Sequence, residues 1–517
     1  MDAALPQDLA EAHALIERLT ARLAEKDAAL SHRDEEIERL QRILDKYIRR
    51  QYGRSSERLP PEQMALGLED LEAGIAAAKA KAESQGATLK ASRSGRHGVK
   101  RGDLPDHLPR VEIIIEPETK ACPCCGGALH VIGEDRSERL DVIPAQHRVL
   151  VTRRPKYGCR SCRDGVSQAP APPHIIEAGL PTEAMLAHVL VSKYADHLPL
   201  YRQHQILERQ GIKIDRSCLA DWVGRSAFAL KPVVARMLEL LKRSTKLFCD
   251  ETTVPVLDPG RGKTKTGYLW AIARDDRPWN GPDPPGVVYV YAPGRAGAYA
   301  RQALRGFKGV LQVDGYSGYN ALTDERRKED PLDLALCWAH WRRDFIDINK
   351  GGSAPIATEA LKRIATLYQI ETEIRGRSAE ERRAMRQAKT TPLVDDLFRW
   401  LEQKLPLLPQ SGKMAEIIRY GLKRRGGLTR FLNDGTIEID SNTVERAIRP
   451  ITLNRKNALF AGHDEGAAAW GLIASLIETC KLNGVEPQRY LTDVLTKIAQ
   501  QWPMAKLDQL LPWAHVA

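Results

Sequence analysis

Three short acidic segments carry the residues of this chain that are best suited to chemistry. Asp250 and Asp314 each close a short apolar run, and Glu445 follows well over a hundred residues later in a helix-forming segment. Two aspartates and one glutamate suffice to hold two divalent cations, because hard carboxylate oxygens are the ligands that magnesium or manganese prefers. Metal-assisted phosphoryl transfer is therefore the first hypothesis.

The elements around these residues predict how they meet. The runs that end at Asp250 and Asp314 are typical of buried strands, and further strands are predicted near 266–273 and 286–291, with a helix near 298–304. Carboxylates at the ends of two adjacent strands can lie close to a third carboxylate on a helix that packs over those strands. The order of the elements predicts an α/β arrangement that brings the acids together.

A structural interpretation competes at each acid. An Asp at a strand end is commonly a turn residue, and Asn442 with Glu445 three positions later also fits a helix N-cap with its reciprocal Glu. A single segment does not decide between capping and metal binding. The order of all three segments favours the metal site.

The same order resembles the ribonuclease H-like fold of DDE transposases and integrases. The neighbouring residues are similar to the motif series of the insertion sequence 66 family of bacterial transposases, and they run in order through nearly the whole chain. The motifs that carry the resemblance are Asp250-Glu-Thr, Asp314-Gly-Tyr-Ser-Gly-Tyr, Cys337-Trp-Ala-His-Trp-Arg-Arg-Asp-Phe, Asp440-Ser-Asn-Thr-Val-Glu-Arg and Arg455-Lys-Asn-Ala-Leu-Phe.

The resemblance implies an activity and a site. Asp250, Asp314 and Glu445 become the DDE triad, which holds two magnesium or manganese ions for DNA strand cleavage and strand transfer at terminal inverted repeats. It also implies small accessory proteins encoded by the same element. Two alternatives remain open: a ribonuclease H-like nuclease that does not join strands, and an inactive zinc-dependent DNA-binding regulator.

Four of the nine cysteines form two Cys-x-x-Cys pairs. Cys122 with Cys125 and Cys159 with Cys162 have the spacing that lets both thiolates of a pair reach one tetrahedral zinc. Disulfides are the competing interpretation. The gap of 33 residues (159 − 125 − 1) is longer than in the compact pattern, and the alternation at 148–153 predicts an inserted strand pair. The family carries a zinc-finger segment at this place. Cys124 is a spare in this pairing, with a register that uses it as the alternative, and Cys218, Cys249, Cys337 and Cys480 are expected to be buried thiols.

The first fifty residues repeat apolar side chains every seven positions. The repeat is formed by Leu9, Ile16, Leu23, Leu30, Ile37 and Leu44. This pattern predicts a coiled coil and a homo-oligomer. A single amphipathic helix that packs on its own chain is the alternative.

Charge and hydropathy indicate a nucleic-acid partner. The net charge is +11, and the stretches 86–102 and 146–160 each carry five Lys or Arg without an acidic residue. Such clusters fit a phosphate footprint, although a generally basic soluble protein would share the net charge. No secretory signal pattern begins the sequence, and the apolar run 466–477 is shorter than the roughly 20 residues of a membrane helix. We therefore expect DNA as the partner, no membrane association, and a cytoplasmic, nucleoid-associated location.

Two further regions supply candidate DNA contacts. Helices at 201–209 and 217–223, joined at Gly211, resemble a helix-turn-helix with Ser217 as the cap of the second helix; an ordinary αα-hairpin is the alternative. The basic candidates in this region are Arg216 and Arg225. Those in the motifs near the acids are His340, Arg342, Arg343, Arg446, Arg449, Arg455 and Lys456.

The fold class predicted from these segments is a multidomain α+β and α/β protein. Its segments, in order, are a coiled-coil oligomerisation helix at 1–60, a basic flexible linker at 61–110, a zinc-finger segment at 111–175, a helical, helix-turn-helix-like DNA-binding region at 176–243, the first part of a ribonuclease H-like catalytic domain at 244–338, a helical insertion at 339–436, the final catalytic helix region with Glu445 at 437–480, and a C-terminal helical segment at 481–517.

Overall fold

The computed structural model describes residues 114, 146–158, 166–177, 179–258, 263–323, 332–350 and 354–515. The chain divides into two compact units, Met1–Arg154 and Pro155–Ala517, and every element below belongs to the second. The predicted coiled coil at 1–60, the linker at 61–110 and the four predicted zinc ligands lie outside the described residues.

A short antiparallel hairpin precedes the helical region. Strands β1 (Lys156–Gly158) and β2 (Val166–Gln168) pair with Tyr157 opposite Ser167. Residues 146–155 form no strand, so the predicted strand pair over 148–153 is wrong there. The apolar side chains of that stretch are exposed, so no buried face stabilises a strand there.

Three helices follow the hairpin. Helix α1 (Glu183–Tyr194) begins after Thr182, whose side chain accepts a hydrogen bond from the Met185 amide at 3.2 Å. Helix α2 (Leu200–Arg209) ends in a turn at Gly211, whose φ of 79° favours glycine, and helix α3 (Arg216–Leu241) leads to the sheet. Two helices joined by a glycine turn are thus present, an arrangement that fits both a helix-turn-helix and an ordinary αα-hairpin.

The second helix of this pair differs from the prediction. It continues to Leu241 instead of ending at 223, because buried side chains recur at helical spacing from Leu219 to Leu241. It begins at Arg216 after Asp215, so Ser217 lies in the first turn and does not cap it. Cys218 is exposed, which corrects the prediction of a buried thiol; the other three such cysteines are buried.

A five-stranded mixed sheet forms the centre of the unit. Its strands are β3 (Lys246–Asp258), β4 (Lys263–Arg274), β5 (Gly286–Ala292), β6 (Gly309–Val313) and β7 (Leu332–Leu336), in the spatial order β5-β4-β3-β6-β7. The first three strands pair antiparallel, whereas β6 lies parallel to both β3 and β7. The short helix α4 (Gly297–Ala303) supplies the crossover to β6.

The segment between the two halves of the site is helical, as predicted. Its helices are α5 (Trp338–Asn349), α6 (Pro355–Glu373), α7 (Ala379–Met385), α8 (Thr391–Lys404), α9 (Lys413–Lys423) and α10 (Arg425–Thr429). They bury a hydrophobic cluster of their own around Trp338, Trp341 and Phe398. The Trp338 and Trp341 indoles donate to the backbone oxygens of Leu428 and Ile417, so both aromatic residues are buried with their polar atoms satisfied.

Three final helices follow: α11 (Asn442–Ala458) and α12 (Asp464–Leu482) pack on the sheet, and α13 (Pro487–Ala499) packs on α1. Side chains of α12 bond directly to the backbone of β5, since the Tyr289 amide donates to Ser475 at 2.8 Å and the Val287 amide to Thr479 at 3.1 Å. No helix in the described part of the chain is long and apolar enough to cross a membrane.

Buried ion pairs connect the helical segment to the chain that leads to α11. Arg386 is fully buried and binds both carboxylate oxygens of Glu371, at 2.8 and 2.7 Å, and the backbone oxygens of Phe431 and Asp434. Arg382 donates to Glu438 at 2.6 Å. A buried charge is costly unless it is paired, so the position of residues 431–438 depends on these contacts.

We expect Arg386→Leu to lower the free energy of unfolding by about 3 kcal/mol, because it removes the bidentate partner of the buried Glu371 and leaves it only Arg382 at 3.6 Å. Urea denaturation followed by the fluorescence of the nearby tryptophans measures the change. The matched control is Arg399→Leu, which removes an exposed pair with Asp396 and should cost less than about 1 kcal/mol. Equal losses in the two variants would contradict the role of the buried pair.

Candidate active site

The pairing register places Asp250 and Asp314 at corresponding positions of neighbouring parallel strands. Phe248 of β3 pairs with Gln312 of β6, and each aspartate lies two residues further on (250 − 248 = 314 − 312 = 2). Contrary to expectation, Asp250 is not at a strand end, because β3 continues to Asp258 along β4. It lies where the parallel pairing with β6 stops, which opens space between the two carboxylates.

A tight turn fixes the backbone at Asp314. Gly315 has a φ of 94°, and a Cβ atom at this position would collide with the Tyr420 hydroxyl. Asp314 Oδ1 accepts a hydrogen bond from the Tyr316 amide at 2.8 Å. The Tyr420 hydroxyl, from α9, donates to the Asp314 backbone oxygen at 3.3 Å. The glycine and the tyrosine together hold Asp314 at the strand end.

The electrostatics at Asp250 indicate a site for cations. Burial, with the neighbouring charges of Asp314 and Glu251, raises the pKa of Asp250 to about 8, and the charge of Glu445 acts in the same direction. Among the described residues no Lys or Arg forms an ion pair with Asp250 or Asp314. A divalent cation would supply the missing positive charge, so the carboxylate donor set fits magnesium or manganese.

Glu445 lies on the first turns of α11 and faces α5. Its Oε1 is 3.5 Å from His340 Nδ1, and its Oε2 is 3.5 Å from the Arg343 guanidinium. His340 and Arg343 are three residues apart and therefore share one face of α5. The capping alternative is not what the structure shows, because the N-cap is Ser441 and it makes no side-chain capping bond.

A buried glutamine ties the approach to α11 to the Asp314 strand. The Gln312 side chain donates to the Glu438 backbone oxygen at 2.9 Å and accepts from the Glu438 amide at 2.9 Å. At the next residue of this segment, the Ile439 backbone oxygen accepts a hydrogen bond from the Trp338 amide at 3.1 Å. Because Gln312 is on the same face of β6 as Asp314, these bonds set where the Glu445 helix begins relative to the aspartate.

Glu251 lies on the opposite face of β3 from Asp250, as the strand period requires. Its side chain is almost fully buried, with Arg295 at 2.6 Å and the Tyr319 hydroxyl at 2.7 Å. The Arg295 guanidinium stacks 3.7 Å from the centre of the Tyr316 ring. Glu251 is therefore a structural carboxylate that positions Arg295 beside the turn after Asp314.

The predicted DNA-contacting residues fall at separate places. Arg216 and Arg225 are exposed on α3, with Arg225 paired to Asp221 at 2.8 Å. His340 and Arg343 lie beside Glu445, and Arg342 lies 5.9 Å from the ring of Tyr368. On α11, Arg446 lines a cleft with Glu478, Arg449 is half-buried, Arg455 donates to Thr253 at 2.7 Å and Lys456 is exposed.

Sequence reasoning missed the side chains that support the acids. Gln312 has a detectable signal, because a polar residue inside an apolar strand needs a partner when buried. Tyr420 and Arg295 have none, since each reaches the site through the fold from a distant position in the chain.

Comparisons with known proteins agree with this arrangement. Residues 178–469 match the Transposase IS66 family, which includes the sheet, the helical segment and all three acids. Residues 475–513 match the IS66 C-terminal element, residues 119–163 the zinc-finger binding domain of transposase IS66, and residues 39–113 the Transposase C of IS166 homeodomain. The chain belongs to the IS66 family of transposases, with a zinc-finger segment that contains both Cys-x-x-Cys pairs.

Full-length relatives occur in Sinorhizobium fredii (strain NBRC 101917 / NGR234). The uncharacterized protein y4qI is 45% identical over 99% of this chain and 95% of its own length. The uncharacterized protein y4jD is 45% identical over 93% of this chain and 96% of its length, and the uncharacterized protein y4hP is 38% identical over 91% and 87%. The similarity therefore extends through the N-terminal segments as well as the sheet.

The raised pKa of Asp250 predicts a pH-dependent stability. An unfolded Asp releases its proton near pH 4, whereas folded Asp250 keeps it to about pH 8. The folded state thus binds more protons in this window, and metal-free protein should lose stability as the pH rises through it. We expect Asp250→Asn to stabilise metal-free protein by about 3 to 5 kcal/mol at pH 8 and much less at pH 5.

Thermal unfolding in the presence of a chelator, at pH 5 and pH 8, measures this difference. Asp221→Asn, which alters an exposed carboxylate on α3, serves as the control and should change stability by less than about 1 kcal/mol at both values. An Asp250→Asn effect that is the same at pH 5 and pH 8 would show that Asp250 titrates normally.

Proposed function

We propose that this chain is a DDE transposase that cleaves DNA at the terminal inverted repeats of an insertion sequence and joins the ends to target DNA. The observation that carries the proposal is the pairing register, which sets Asp250 beside Asp314. Both residues lie in the range that matches the transposase family. The helix that carries Glu445 packs over β3, the strand of Asp250, and over β4. Three carboxylates on two strands and one helix supply the oxygen ligands for two divalent cations.

The topology supports a ribonuclease H-like fold. Three antiparallel strands are followed by two parallel ones, and the order β5-β4-β3-β6-β7 puts the first strand in the centre. In this arrangement the acid of the central strand and the acid after its parallel neighbour lie side by side. The late helix α11 then supplies the third acid after the helical insertion.

The chemistry assigned to the site is in-line displacement at phosphorus. Divalent cations supply an activated water or 3′-hydroxyl and stabilise the leaving oxygen. Asp250, Asp314 and Glu445 would hold these cations, and the charges of the other two acids both raise the pKa of Asp250. Arg343, 3.5 Å from Glu445, is placed to receive a DNA phosphate near the scissile bond.

DNA recognition is assigned to the segments before the sheet. The zinc-finger segment would hold one structural zinc through Cys122, Cys125, Cys159 and Cys162. The basic stretches at 86–102 and 146–160, with Arg216 and Arg225 on α3, provide phosphate contacts. A coiled coil at 1–60 would pair two protomers so that two DNA ends meet, with small accessory proteins as further partners and the bacterial nucleoid as the place of action.

The triad is tested by amide substitutions that keep volume and remove charge. Asp250→Asn, Asp314→Asn and Glu445→Gln should each retain binding to a terminal-repeat duplex but lose magnesium-dependent cleavage by about 1,000-fold or more. Because the ligands act as one unit, the double variant of Asp250 and Asp314 should be scarcely worse than either single variant. Cleavage of a labelled duplex and a gel-shift assay measure the two properties.

Matched controls come from exposed carboxylates in comparable elements. Asp333→Asn alters an exposed strand residue of β7, and Glu465→Gln alters the first turn of α12; both should keep activity within about 3-fold. Glu251 and Glu438 are unsuitable because both are buried in ion pairs. Full activity of Glu445→Gln together with a dead Glu465→Gln would refute the assignment.

Strand joining separates a transposase from a nuclease. Wild-type protein given a pre-cleaved terminal end and a target plasmid should yield joined products, and the three triad variants should yield none, because cleavage and joining use the same ligands. Cleavage without any joined product would indicate a ribonuclease H-like nuclease. If wild-type protein with magnesium binds the terminal DNA but neither cleaves nor joins it, the protein is a DNA-binding regulator.

The oligomerisation segment gives a separate prediction. Deleting Met1–Arg50 should lower the mass of the assembly to that of a single protomer and abolish pairing of two DNA ends, while binding of one end persists. Light scattering measures the mass, and a two-duplex capture assay measures end pairing. As a control, Leu23→Ile keeps the apolar heptad and should leave the mass unchanged. An unchanged mass after the deletion would contradict the coiled coil.

A further inference from the structure

A second group of metal-binding side chains lies at the edge of the candidate active site. Cys337 Sγ, a His340 ring nitrogen and a Glu445 carboxylate oxygen all lie within 4.8 Å of one another. They come from the end of β7, the first turn of α5 and the first turns of α11. Three separate elements therefore bring a thiol, an imidazole and a carboxylate to one point.

Two atoms of this group lack the hydrogen bonds that burial normally demands. His340 Nδ1 and Glu445 Oε1 are both inaccessible to solvent, and neither has a hydrogen-bond partner. An unsatisfied buried polar atom costs about 1 to 3 kcal/mol, so two that face each other require an explanation. Their separation is 3.5 Å.

That separation agrees with two ligands on one tetrahedral ion. With zinc–nitrogen and zinc–oxygen bonds of about 2.0 to 2.1 Å, the distance between two ligand atoms is about 3.3 to 3.4 Å. The distance is long for a direct hydrogen bond, for which about 2.9 Å is typical. A shared cation would satisfy both atoms at nearly the spacing that is present.

We propose that Cys337, His340 and Glu445 form a binding site for a borderline divalent cation of the zinc class, distinct from the oxygen-only pair of Asp250 and Asp314. Thiolate and imidazole ligands select zinc over magnesium. Three protein ligands leave a fourth position for water, as in zinc sites that are not closed.

The surroundings already fix the three ligands. The Cys337 amide donates to the Val313 oxygen at 3.1 Å, which ties the cysteine to the residue before Asp314. The Ser441 amide donates to Cys337 Sγ at 3.2 Å, and an amide that points at sulfur stabilises a metal-bound thiolate. Cys337 and His340 are three residues apart, with the cysteine at the N-cap of α5.

Zinc at this site would also orient Glu445. Its Oε1 faces His340, whereas its Oε2 faces Arg343, so an ion held through Oε1 leaves Oε2 for the catalytic cation. The zinc site does not depend on the proposed DNA chemistry, because the three ligands can bind a cation whether or not Glu445 takes part in cleavage.

The test uses the full-length chain with all five cysteines of the zinc-finger segment replaced by serine, which removes the zinc-finger ligands; these are Cys122, Cys124, Cys125, Cys159 and Cys162. This chain should bind one Zn²⁺, with one sulfur in its zinc X-ray absorption spectrum. Adding Cys337→Ser or His340→Gln should weaken Zn²⁺ binding by about 100-fold or more, and Cys337→Ser should remove the sulfur. Cys480→Ser, which alters a buried thiol outside the group, is the matched control and should change neither property.

Retention of tight Zn²⁺ binding after Cys337→Ser, or no zinc in the chain without finger ligands, would overturn the proposal. Should that chain fail to fold, the wild-type chain should contain two zinc ions and Cys337→Ser one; equal contents would overturn the proposal as well. Asp250→Asn should keep its zinc while losing cleavage, so a failure of the zinc site and a failure of the DDE assignment give different results.

Discussion

The repulsion between Asp250 and Asp314 is the constraint on which the rest of the site depends. Two carboxylates in one register of a buried sheet destabilise each other, and burial with that repulsion raises the pKa of Asp250 to about 8. The backbone holds this arrangement in place, and a bound cation would relieve the repulsion. The central strand, the glycine turn and Tyr420 fix the backbone that carries the two aspartates. A divalent cation is the ligand that suits two such carboxylates.

The helical segment is part of this support. Arg386 and Arg382 bury their charges against Glu371 and Glu438, and Gln312 binds the backbone at Glu438. The position of Glu445 relative to Asp314 thus rests on contacts from the sheet and from the insertion together. The long insertion between the second and third acids consequently contributes to the geometry of the candidate site.

Much of this arrangement could be predicted from local sequence. Apolar runs predict the strand that holds Asp250 and the strand that ends just before Asp314, and a helix is predicted around Glu445, because side-chain periodicity is a local property. Local sequence did not predict three features: the length of α3, the mid-strand position of Asp250 and the exposure of Cys218. Each depends on neighbours that are distant in sequence. The same reason hid Gln312, Tyr420 and the partners of Glu251. The positions of the zinc-finger cysteines and of the heptads stay predictions.

The most direct measurement is Mn²⁺ binding to full-length protein on a pre-cleaved terminal duplex, followed by electron paramagnetic resonance at pH 8. If Asp250, Asp314 and Glu445 hold two cations as one unit, wild-type protein with its zinc sites filled should bind two Mn²⁺ per site with the exchange coupling of neighbouring ions. Asp250→Asn should lose that coupling and most of the binding. Two coupled Mn²⁺ ions retained in Asp250→Asn would contradict the shared site.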